Sequence, residues 1–401
     1  MLTQEQKAFF YLVKAGMYGE TDPKMESVFP LSERSWEAVL LQASQQTVVG
    51  LVYRGLDVLP EEWLPSMRVM AVFMACADRI EKANAKMNKT IVKLWRHFQE
   101  KGITAVLQKG QGLAQMYQDP SLRECGDIDI YFPDNEENPL EGIAEADCEK
   151  RPDGSVFYTV DGIVVEQHNH LLDIASPLRQ RFIKKLIADK GFEKVRVGGE
   201  EGVDVLVPAP EVNLLLISSH ILKHVLGVGI GLRQICDYAI ARRYYANRVD
   251  SAEMRSIYRK AGIAKWSNYL DRFLDSARND KEACHLDSAR NDSEDCHLDS
   301  VLNDKEDCHL DSARNDNEDC HLDRAKRVER SKKSNILLDI ILKGGNFGSF
   351  TEGRKNATKS RVSRKLHTLR SFCGNICLAF RFAPREWFWT MAQLIGGQFR
   401  W

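Results

Sequence analysis

The fold of this chain is decided by the stretch Gly126-Asp-Ile-Asp-Ile-Tyr-Phe132, an apolar, β-prone run that carries two carboxylates. Side chains alternate between the two faces of a strand, so Asp127 and Asp129 are predicted to share one face while Ile128 and Ile130 enter a core. Two acids on one face repel each other unless a positive group lies between them, and a divalent cation such as Mg²⁺ suits their oxygen ligands. The alternative is a solvated acid pair on a half-exposed strand, because the D-x-D motif alone is weak.

The sequence on both sides of this stretch predicts further strands. Upstream, the apolar run Ile103–Leu107 predicts a strand, and a glycine-containing turn at Gln108–Gly112 and a short helical run follow it. Downstream, two β-prone runs flank Asp161-Gly162, a dipeptide that favours a tight hairpin because both turn positions need a positive φ. The second of these runs ends at Glu166 and is expected to bring a third carboxylate alongside the acid pair.

Four short motifs in this part of the chain resemble those of a known protein family. They are Leu107-Gln-Lys-Gly110, Tyr117-x-Asp-Pro120, Arg123-x-x-Gly-Asp-Ile-Asp129 and Glu166-x-His168. Together with the order of strand, glycine turn, helix, D-x-D strand and acid-bearing strand, they resemble the bacterial uncharacterised nucleotidyltransferase family of the DNA polymerase β-like nucleotidyltransferase superfamily. The resemblance covers about residues 100 to 240, and it departs from the superfamily in the turn, where Lys109-Gly-Gln-Gly112 replaces the usual Gly-Ser or Gly-Gly.

The resemblance implies a fold, a reaction and a set of metal ligands. The fold would be α+β, with a small mixed β-sheet nucleotidyltransferase core, a helical N-terminal cap and a helical C-terminal region. The reaction would transfer a nucleoside monophosphate from an NTP to a hydroxyl group of an unidentified small-molecule or protein acceptor, with two Mg²⁺ ions as cofactors. The catalytic metal ligands would be Asp127, Asp129 and Glu166.

The resemblance also implies contacts to the triphosphate. Lys109 would neutralise phosphate charge, and Arg123 would do the same from the loop before the acids. Gly110 and Gly112 would allow backbone N–H groups to approach the phosphates closely. An exposed or sheet-edge charge is the alternative for the two cations, and His168 is expected to be at most an accessory group.

Length and composition define the broad class of protein. At 401 residues and 43% hydrophobic content, the chain can form two or three compact units. A formal net charge of −1 indicates no preference for an anionic or a cationic partner at the level of the whole chain. The start of the chain lacks a signal-peptide pattern, and no run reaches the ~18 apolar residues of a membrane-spanning helix. A cytoplasmic protein with reduced cysteines is therefore predicted.

Changes in pattern and charge divide the chain into five predicted regions. Residues 1–100 show helical periodicity, with apolar residues at i, i+3 and i+4 spacing, and form the cap. The other regions are the nucleotidyltransferase-like α/β core at 101–210, a helical region at 211–273, acidic 12-residue tandem repeats at 274–323, and a basic, aromatic-rich region at 324–401.

Two pairs of polar residues lie in the helical region at 211–273. His220 and His224 share one helical face, but a zinc site needs a third ligand that the sequence does not place, so substrate orientation or helix packing is favoured. Arg233 and Asp237 have the spacing of an intrahelical ion pair, which is the favoured interpretation, and a phosphate contact by Arg233 is the alternative.

The last two regions carry opposite charges. The repeats contain 16 acidic and 5 basic residues, so a disordered or loosely helical insert from a tandem expansion is predicted. Metal binding by the four adjacent Cys-His pairs of the repeats is the less favoured alternative. The C-terminal region has 17 basic and 4 acidic residues, and it is expected to neutralise the repeats and cap the fold, with an anionic membrane surface or a nucleic acid as the alternative partner.

Two other functions are compatible with the sequence. One is a catalytically silent nucleotide-binding or antitoxin-like regulatory module, and the complete set of acids favours the enzyme over it. The other is an adaptor that contacts a nucleic acid or a membrane surface through the basic C-terminal region, an interpretation that depends on composition alone.

Overall fold

A computed structural model of the chain describes residues 2–278, apart from residues 135, 137, 152–153 and 227–228, together with residues 337–338, 340–342 and 382–389. Most of the predicted repeats and of the basic C-terminal region, including their Cys-His pairs, lies outside the described residues. The chain forms two compact units, residues 1–266 with 340–401 and residues 267–339. The first unit contains the complete sheet. In the second unit, the backbone N–H of Leu337 donates a hydrogen bond of 3.2 Å to the Tyr269 hydroxyl.

Ten α-helices lie between residues 4 and 278 of the described part of the chain. They are α1 (Gln4–Tyr18), α2 (Glu33–Gln46), α3 (Val49–Gly55), α4 (Met67–Lys101), α5 (Gly110–Ala114), α6 (Pro177–Lys190), α7 (Pro210–Leu226), α8 (Leu232–Tyr244), α9 (Ser251–Ala261) and α10 (Ala264–Arg278). The first four precede every strand and form the predicted helical N-terminal cap. No helix within the described ranges combines the length and the apolar character that crossing a membrane requires.

Seven strands form one mixed sheet in the described part of the chain. They are β1 (Val106–Gln108), β2 (Ile128–Tyr131), β3 (Glu145–Lys150), β4 (Val156–Val160), β5 (Ile163–His168), β6 (Phe192–Val197) and β7 (Val203–Pro208). Their order across the sheet is β3-β4-β5-β2-β1-β7-β6. β2 lies parallel to β5 and β1 lies parallel to β7, whereas the other neighbouring strands are antiparallel. The mixed sheet and its helices confirm the predicted α+β class.

One face of the sheet packs against α4. Ile128 and Ile130 of β2 are fully buried in this core, as the alternation of the D-x-D stretch predicts. The α4 side chains in the same core are Met87, Ile91, Leu94, Trp95 and Phe98. Burial of each such apolar side chain stabilises the fold by about 1.5–3 kcal/mol. The apolar half of the D-x-D stretch therefore anchors β2 to the long helix.

The opposite face of the sheet carries a row of polar side chains. Asp129 of β2 pairs with Gln108 of β1 on one side and with Glu166 of β5 on the other. Side chains of directly paired residues on neighbouring strands point to the same face of a sheet. These three side chains, which we call the polar row, therefore lie together on the face opposite Ile128 and Ile130.

Local backbone chemistry sets the ends of the strands beside this row. Asp161 and Gly162 join β4 to β5 with φ values of +51° and +69°, which confirms the predicted hairpin. At the end of α4, the backbone N–H of Ile103 donates a 2.8 Å hydrogen bond to the carbonyl of Phe98. This helix-ending contact holds Ile103 outside the sheet, so β1 begins at Val106 and not at the predicted position 103.

Candidate active site

The centre of the candidate site is a cluster of two acids and one histidine. One ligand atom from each of Asp129, Glu166 and His168 lies within 4.8 Å of the others, and this is the group of metal-binding side chains found in the described residues. Glu166 and His168 are two positions apart on β5, so they share a face of the strand. The parallel pairing of β2 with β5 places Asp129 opposite Glu166. We call these three residues the acid cluster.

Two basic side chains contact the acids of this cluster. Nε2 of His168 lies 2.7 Å from Oδ1 of Asp129, and Nζ of Lys109 lies 3.3 Å from the same oxygen. The other ring nitrogen of His168, Nδ1, lies 3.7 Å from Oε1 of Glu166. A cation was predicted between Asp127 and Asp129, and Lys109 is the cationic side chain that contacts Asp129 in this structure.

The pKa values of the three carboxyl groups shift in different directions. Burial opposes ionisation of Asp129, but the charge of Lys109 and the hydrogen bond from His168 outweigh burial and hold its pKa well below the usual range. Burial raises the pKa of Glu166 above its usual value. Burial and the charge of Asp129 together raise the pKa of Asp127. Asp129 is therefore the most firmly ionised acid of the site.

Asp127 lies at the edge of the site and outside the acid cluster. It immediately precedes β2 and is half-buried, and its carboxylate is not part of the metal-binding group found in the described residues. The charges of Lys109 and Arg233 act on its pKa, so it is still near the cations of the site. The structure therefore brings together Asp129, Glu166 and His168 rather than the predicted trio of carboxylates.

The turn between β1 and α5 positions the lysine. Lys109 and Gly110 adopt φ values of +43° and +40°, so the chain turns sharply here, and a Cβ on Gly110 would lie 3.5 Å from the carbonyl oxygen of Asp127. A Cβ on Gly112 would lie 3.1 Å from Cγ1 of Val207, so this glycine allows α5 to pack closely on β7. The two predicted glycines thus have different surroundings, and Gly110 is the one beside the acids.

Gln108 is a member of the polar row that sequence analysis placed only within a motif. Its side chain is 1% exposed, and Nε2 has no hydrogen-bond partner among the residues that the structure describes. A buried amide without a partner destabilises a fold by about 1–3 kcal/mol. The sequence signal was a polar residue at the end of an apolar strand, directly before a glycine turn. Gln108 therefore adds a buried, unpaired donor to the sheet face that carries Asp129.

Arg123 is held in a buried ion pair away from the acid cluster. Its Nε and Nη2 donate hydrogen bonds of 2.8 and 2.7 Å to the two carboxylate oxygens of Asp237, and the Tyr117 hydroxyl donates a third of 2.8 Å. Asp237 therefore pairs with Arg123, and the predicted intrahelical pair with Arg233 is wrong. The physical reason is that Asp237 is a buried residue of α8 and faces the loop that carries Arg123.

The loop that leads to Asp127 is anchored from two helices. Nδ2 of Asn84, a buried α4 residue, donates hydrogen bonds of 2.6 and 2.9 Å to the carbonyls of Ser121 and Arg123. From α8, Nη1 of Arg233 donates a 2.8 Å hydrogen bond to the carbonyl of Glu124. Contacts from α4 and from α8 thus hold the loop that leads to Asp127.

A second group of polar side chains borders the site. Nδ1 of His220 lies 2.8 Å from Oδ2 of Asp173, and Nζ of Lys223 lies 2.7 Å from Oδ1 of the same carboxylate. The rings of His220 and His224 are in edge contact, with centroids 4.4 Å apart. Within the described ranges these residues do not form a metal-binding group, so the zinc alternative for the two histidines gains no support.

Comparisons with known proteins agree with the resemblance found in the motifs. A family model described as "Uncharacterised nucleotidyltransferase" matches residues 32–273, a span that contains the polar row, the acid cluster and the Asp173 group. Neither the curated proteins nor the solved structures contain a significant match to the chain. Because the family match spans more than half of the sequence and includes its whole sheet, the chain belongs to the uncharacterised nucleotidyltransferase family.

Proposed function

We propose that the chain is a metal-dependent enzyme that transfers a nucleoside monophosphate from an NTP to a hydroxyl group of a small-molecule or protein acceptor. The observation that carries this proposal is the polar row with its acid cluster, in which two carboxylates, an imidazole and a lysine converge within a nucleotidyltransferase family. Transfer of a phosphoryl group needs little covalent chemistry from a protein, so positioning and charge stabilisation are the main tasks. The acid cluster is suited to both.

The donor set of the acid cluster fits a divalent metal ion. Asp129 and Glu166 would hold the ion through carboxylate oxygens, which suit Mg²⁺, and His168 adds a nitrogen, which suits Mn²⁺ better than Mg²⁺. Asp127, at the edge, would contribute to a second Mg²⁺ ion. When bound, such ions withdraw charge from phosphate oxygens and make a hydroxyl group easier to deprotonate.

The triphosphate would be bound by groups on the β1 side of the site. Lys109 would exchange its contact with Asp129 for the phosphates, and the backbone N–H groups at Gly110 and Gly112 have no partner within a helix that begins there. The unpaired amide of Gln108 would donate to a phosphoryl oxygen. We assign Arg123 to a positioning role through Asp237, because Nε and Nη2 are used in that ion pair and Nη1 contacts Sγ of Cys125 at 2.8 Å.

Calorimetry with each of the four NTPs, in the presence of Mg²⁺ or Mn²⁺, tests the proposal directly. We expect at least one NTP to bind only when a metal ion is present, and pyrophosphate to be released slowly with water as the acceptor. Metal-dependent binding without any pyrophosphate release would favour the alternative of a catalytically silent, regulatory module. If the folded protein binds no NTP under any of these conditions, the proposal is wrong.

Substitution of Lys109 by methionine is expected to tighten Mn²⁺ binding by about tenfold in the absence of NTP. The ammonium group competes with a metal ion for Oδ1 of Asp129, and removal of that competition is worth about 1.4 kcal/mol or more at the effective dielectric of a protein interior. Affinity for the metal–NTP complex should fall at the same time, because the phosphates lose a cation. Titration with Mn²⁺, followed by electron paramagnetic resonance, measures the first effect.

The matched control for this lysine is Lys93→Met. Lys93 of α4 also pairs with a carboxylate, at 2.7 Å from Asp161 of the β4–β5 hairpin, but both side chains of this pair are exposed. We expect no change in Mn²⁺ affinity for this variant. Unchanged or weaker Mn²⁺ binding by Lys109→Met would show that the lysine does not occupy the metal position.

Substitution of Gln108 by methionine is expected to stabilise the protein and weaken NTP binding. Methionine has a similar shape and removes the unpaired amide, so the free energy of unfolding should rise by about 1 kcal/mol. NTP affinity should fall by about tenfold, since a hydrogen bond to a charged phosphate contributes about 1.5–3 kcal/mol. Thermal unfolding and calorimetry measure the two effects.

Gln167→Met provides the comparison, because Gln167 is also a buried sheet amide but has partners. It accepts a 3.0 Å hydrogen bond from the Tyr158 hydroxyl and donates one of 3.2 Å to the carbonyl of Glu136. This variant should be less stable than the wild type. A similar loss of stability in Gln108→Met would mean that the Gln108 amide has a structural partner and no role in binding.

A further inference from the structure

We propose that His220, held by Asp173, forms the acceptor side of the active site and takes the proton of the attacking hydroxyl group. This inference rests on the proposed function and assigns two residues that the acid cluster does not include. His220 would be a catalytic residue, because its ring would touch the acceptor. Asp173 would be a positioning residue, because it acts through the histidine.

The contacts of His220 define which of its nitrogens is available. Nδ1 lies 2.8 Å from Oδ2 of Asp173, and a carboxylate can only accept, so Nδ1 carries the hydrogen of this bond. In a neutral ring the other nitrogen, Nε2, then has a free electron pair. No hydrogen bond to Nε2 is found within the described part of the chain. Lys223 holds the second oxygen of Asp173 at 2.7 Å, which fixes the carboxylate that orients the ring.

The charged groups around His220 keep its ring neutral. The titratable groups that interact with it are Asp173 from the loop after β5, Lys223 and His224 from α7, Lys109 from the turn after β1, and Asp129 from β2. Burial and the charge of Lys109 outweigh the attraction of Asp173 and lower the pKa of His220 to about 4. A neutral imidazole at pH 7 is the form that can accept a proton.

His220 and Asp173 lie close to the acid cluster. Asp173 lies in the loop that leaves β5 shortly after His168, and His220 reaches the same loop from α7. The charge of Lys109 lowers the pKa of Asp129, and Asp173 and Asp129 both act on Lys109. The pair and the acid cluster are thus both within electrostatic reach of Lys109.

The chemistry of the pair suits a hydroxyl group better than a phosphate. A phosphate is bound by donors and positive charge, whereas this side of the site offers a carboxylate and an acceptor nitrogen. Lys223, the cation beside the pair, is held by Asp173, whereas the charges of Lys109 and Arg233 both act on Asp127, at the other edge of the site. A hydroxyl group can donate its hydrogen to Nε2, so the acceptor substrate is the ligand that fits.

The proposed step is balanced in atoms and electrons. The O–H bond of the acceptor breaks, its proton bonds to Nε2 of His220, and its electron pair forms the new bond from oxygen to the α-phosphorus. The bond between the α-phosphorus and the bridging oxygen breaks, and that electron pair leaves with pyrophosphate. Asp173 stabilises the resulting imidazolium, which then releases its proton to solvent.

The first test measures the protonation state of His220 and does not depend on activity. Nitrogen NMR of histidine-labelled protein, assigned by comparison with His220→Gln, should show a neutral ring protonated at Nδ1 at pH 7. In Asp173→Asn the ring should lose this preference and populate the form protonated at Nε2. A charged ring, or a ring protonated at Nε2 in the wild type, would overturn the proposal.

The second test separates binding from turnover. His220→Gln should keep the affinity for metal–NTP within about threefold and reduce pyrophosphate release, with water as acceptor, by about 10²-fold. Lys185→Gln, on the exposed face of α6, should alter neither value by more than about threefold. Equal release by His220→Gln and the wild type overturns the inference. Failure of the wild type to bind NTP is a different result, because it removes the proposed function itself.

Discussion

Asp129→Asn is expected to abolish metal-dependent NTP binding and to reduce pyrophosphate release by about 10³-fold or more, equivalent to about 4 kcal/mol of transition-state stabilisation. Asparagine has nearly the same shape but no charge, so it would leave the ammonium of Lys109 and the ring of His168 beside a neutral amide. A metal ion that enters the site would then be repelled by the Lys109 ammonium and would lack the carboxylate of residue 129 as a ligand. Calorimetry with Mn²⁺ and NTP, together with a pyrophosphate-release assay, measures the loss.

Asp161→Asn is the matched control for this substitution. Asp161 is an exposed acid of the β4–β5 hairpin that pairs with Lys93 of α4, and asparagine tolerates its φ of +51° well. This variant should bind and turn over NTP as the wild type does. Asp127→Asn should show a smaller loss than Asp129→Asn, because Asp127 lies outside the acid cluster. If Asp129→Asn retains metal-dependent binding, the acid cluster is not the metal site.

The parts of the fold that were predicted correctly depend on local rules. Alternation along β2 was sufficient to place Ile128 and Ile130 in the core, and the Asp161-Gly162 dipeptide was sufficient to place the hairpin. The hairpin in turn limits where β5 can lie. Glu166 was therefore expected near the acids, and it lies directly opposite Asp129.

The rest of the site depends on contacts between distant parts of the chain. Gln108 belongs to the polar row only because β1 pairs with β2 in one register, and a shift by one residue would turn it to the other face. The contact of Asp173 with His220 joins residues 47 positions apart. Spacing along a helix or a strand contains no information about such pairs. The position of His168 between two acids likewise follows from the register of β5 on β2.

Arg123 shows most clearly how a local rule fails. The spacing of Arg233 and Asp237 favours an intrahelical pair, yet Asp237 pairs with a residue 114 positions away. A buried carboxylate needs a partner that offers several donors, and the planar guanidinium of Arg123 supplies two parallel hydrogen bonds. Burial opposes ionisation of Asp237, but Arg123 outweighs burial and holds its pKa below the usual range.

Arg123→Leu is accordingly expected to lower the free energy of unfolding by about 3–5 kcal/mol, since it leaves a buried carboxylate without its charge partner. Of the donors to Asp237 in the described residues, the Tyr117 hydroxyl would be the one that is left. Urea denaturation followed by circular dichroism measures the change. The double variant Arg123→Leu/Asp237→Leu should recover more than half of the loss, because an apolar pair of similar volume has no unpaired charge.

The same variants separate a structural role for Arg123 from the predicted contact with phosphate. If Arg123 acts only by holding Asp237, the folded double variant should bind metal–NTP within about threefold of the wild type, as the loop before Asp127 is still anchored by Asn84. If Arg123 reaches a phosphate, affinity should fall by about 10²-fold even where stability is restored, because a charge-assisted bidentate contact would be lost. The buried geometry of the guanidinium, with both of its paired donors on one carboxylate, favours the first result.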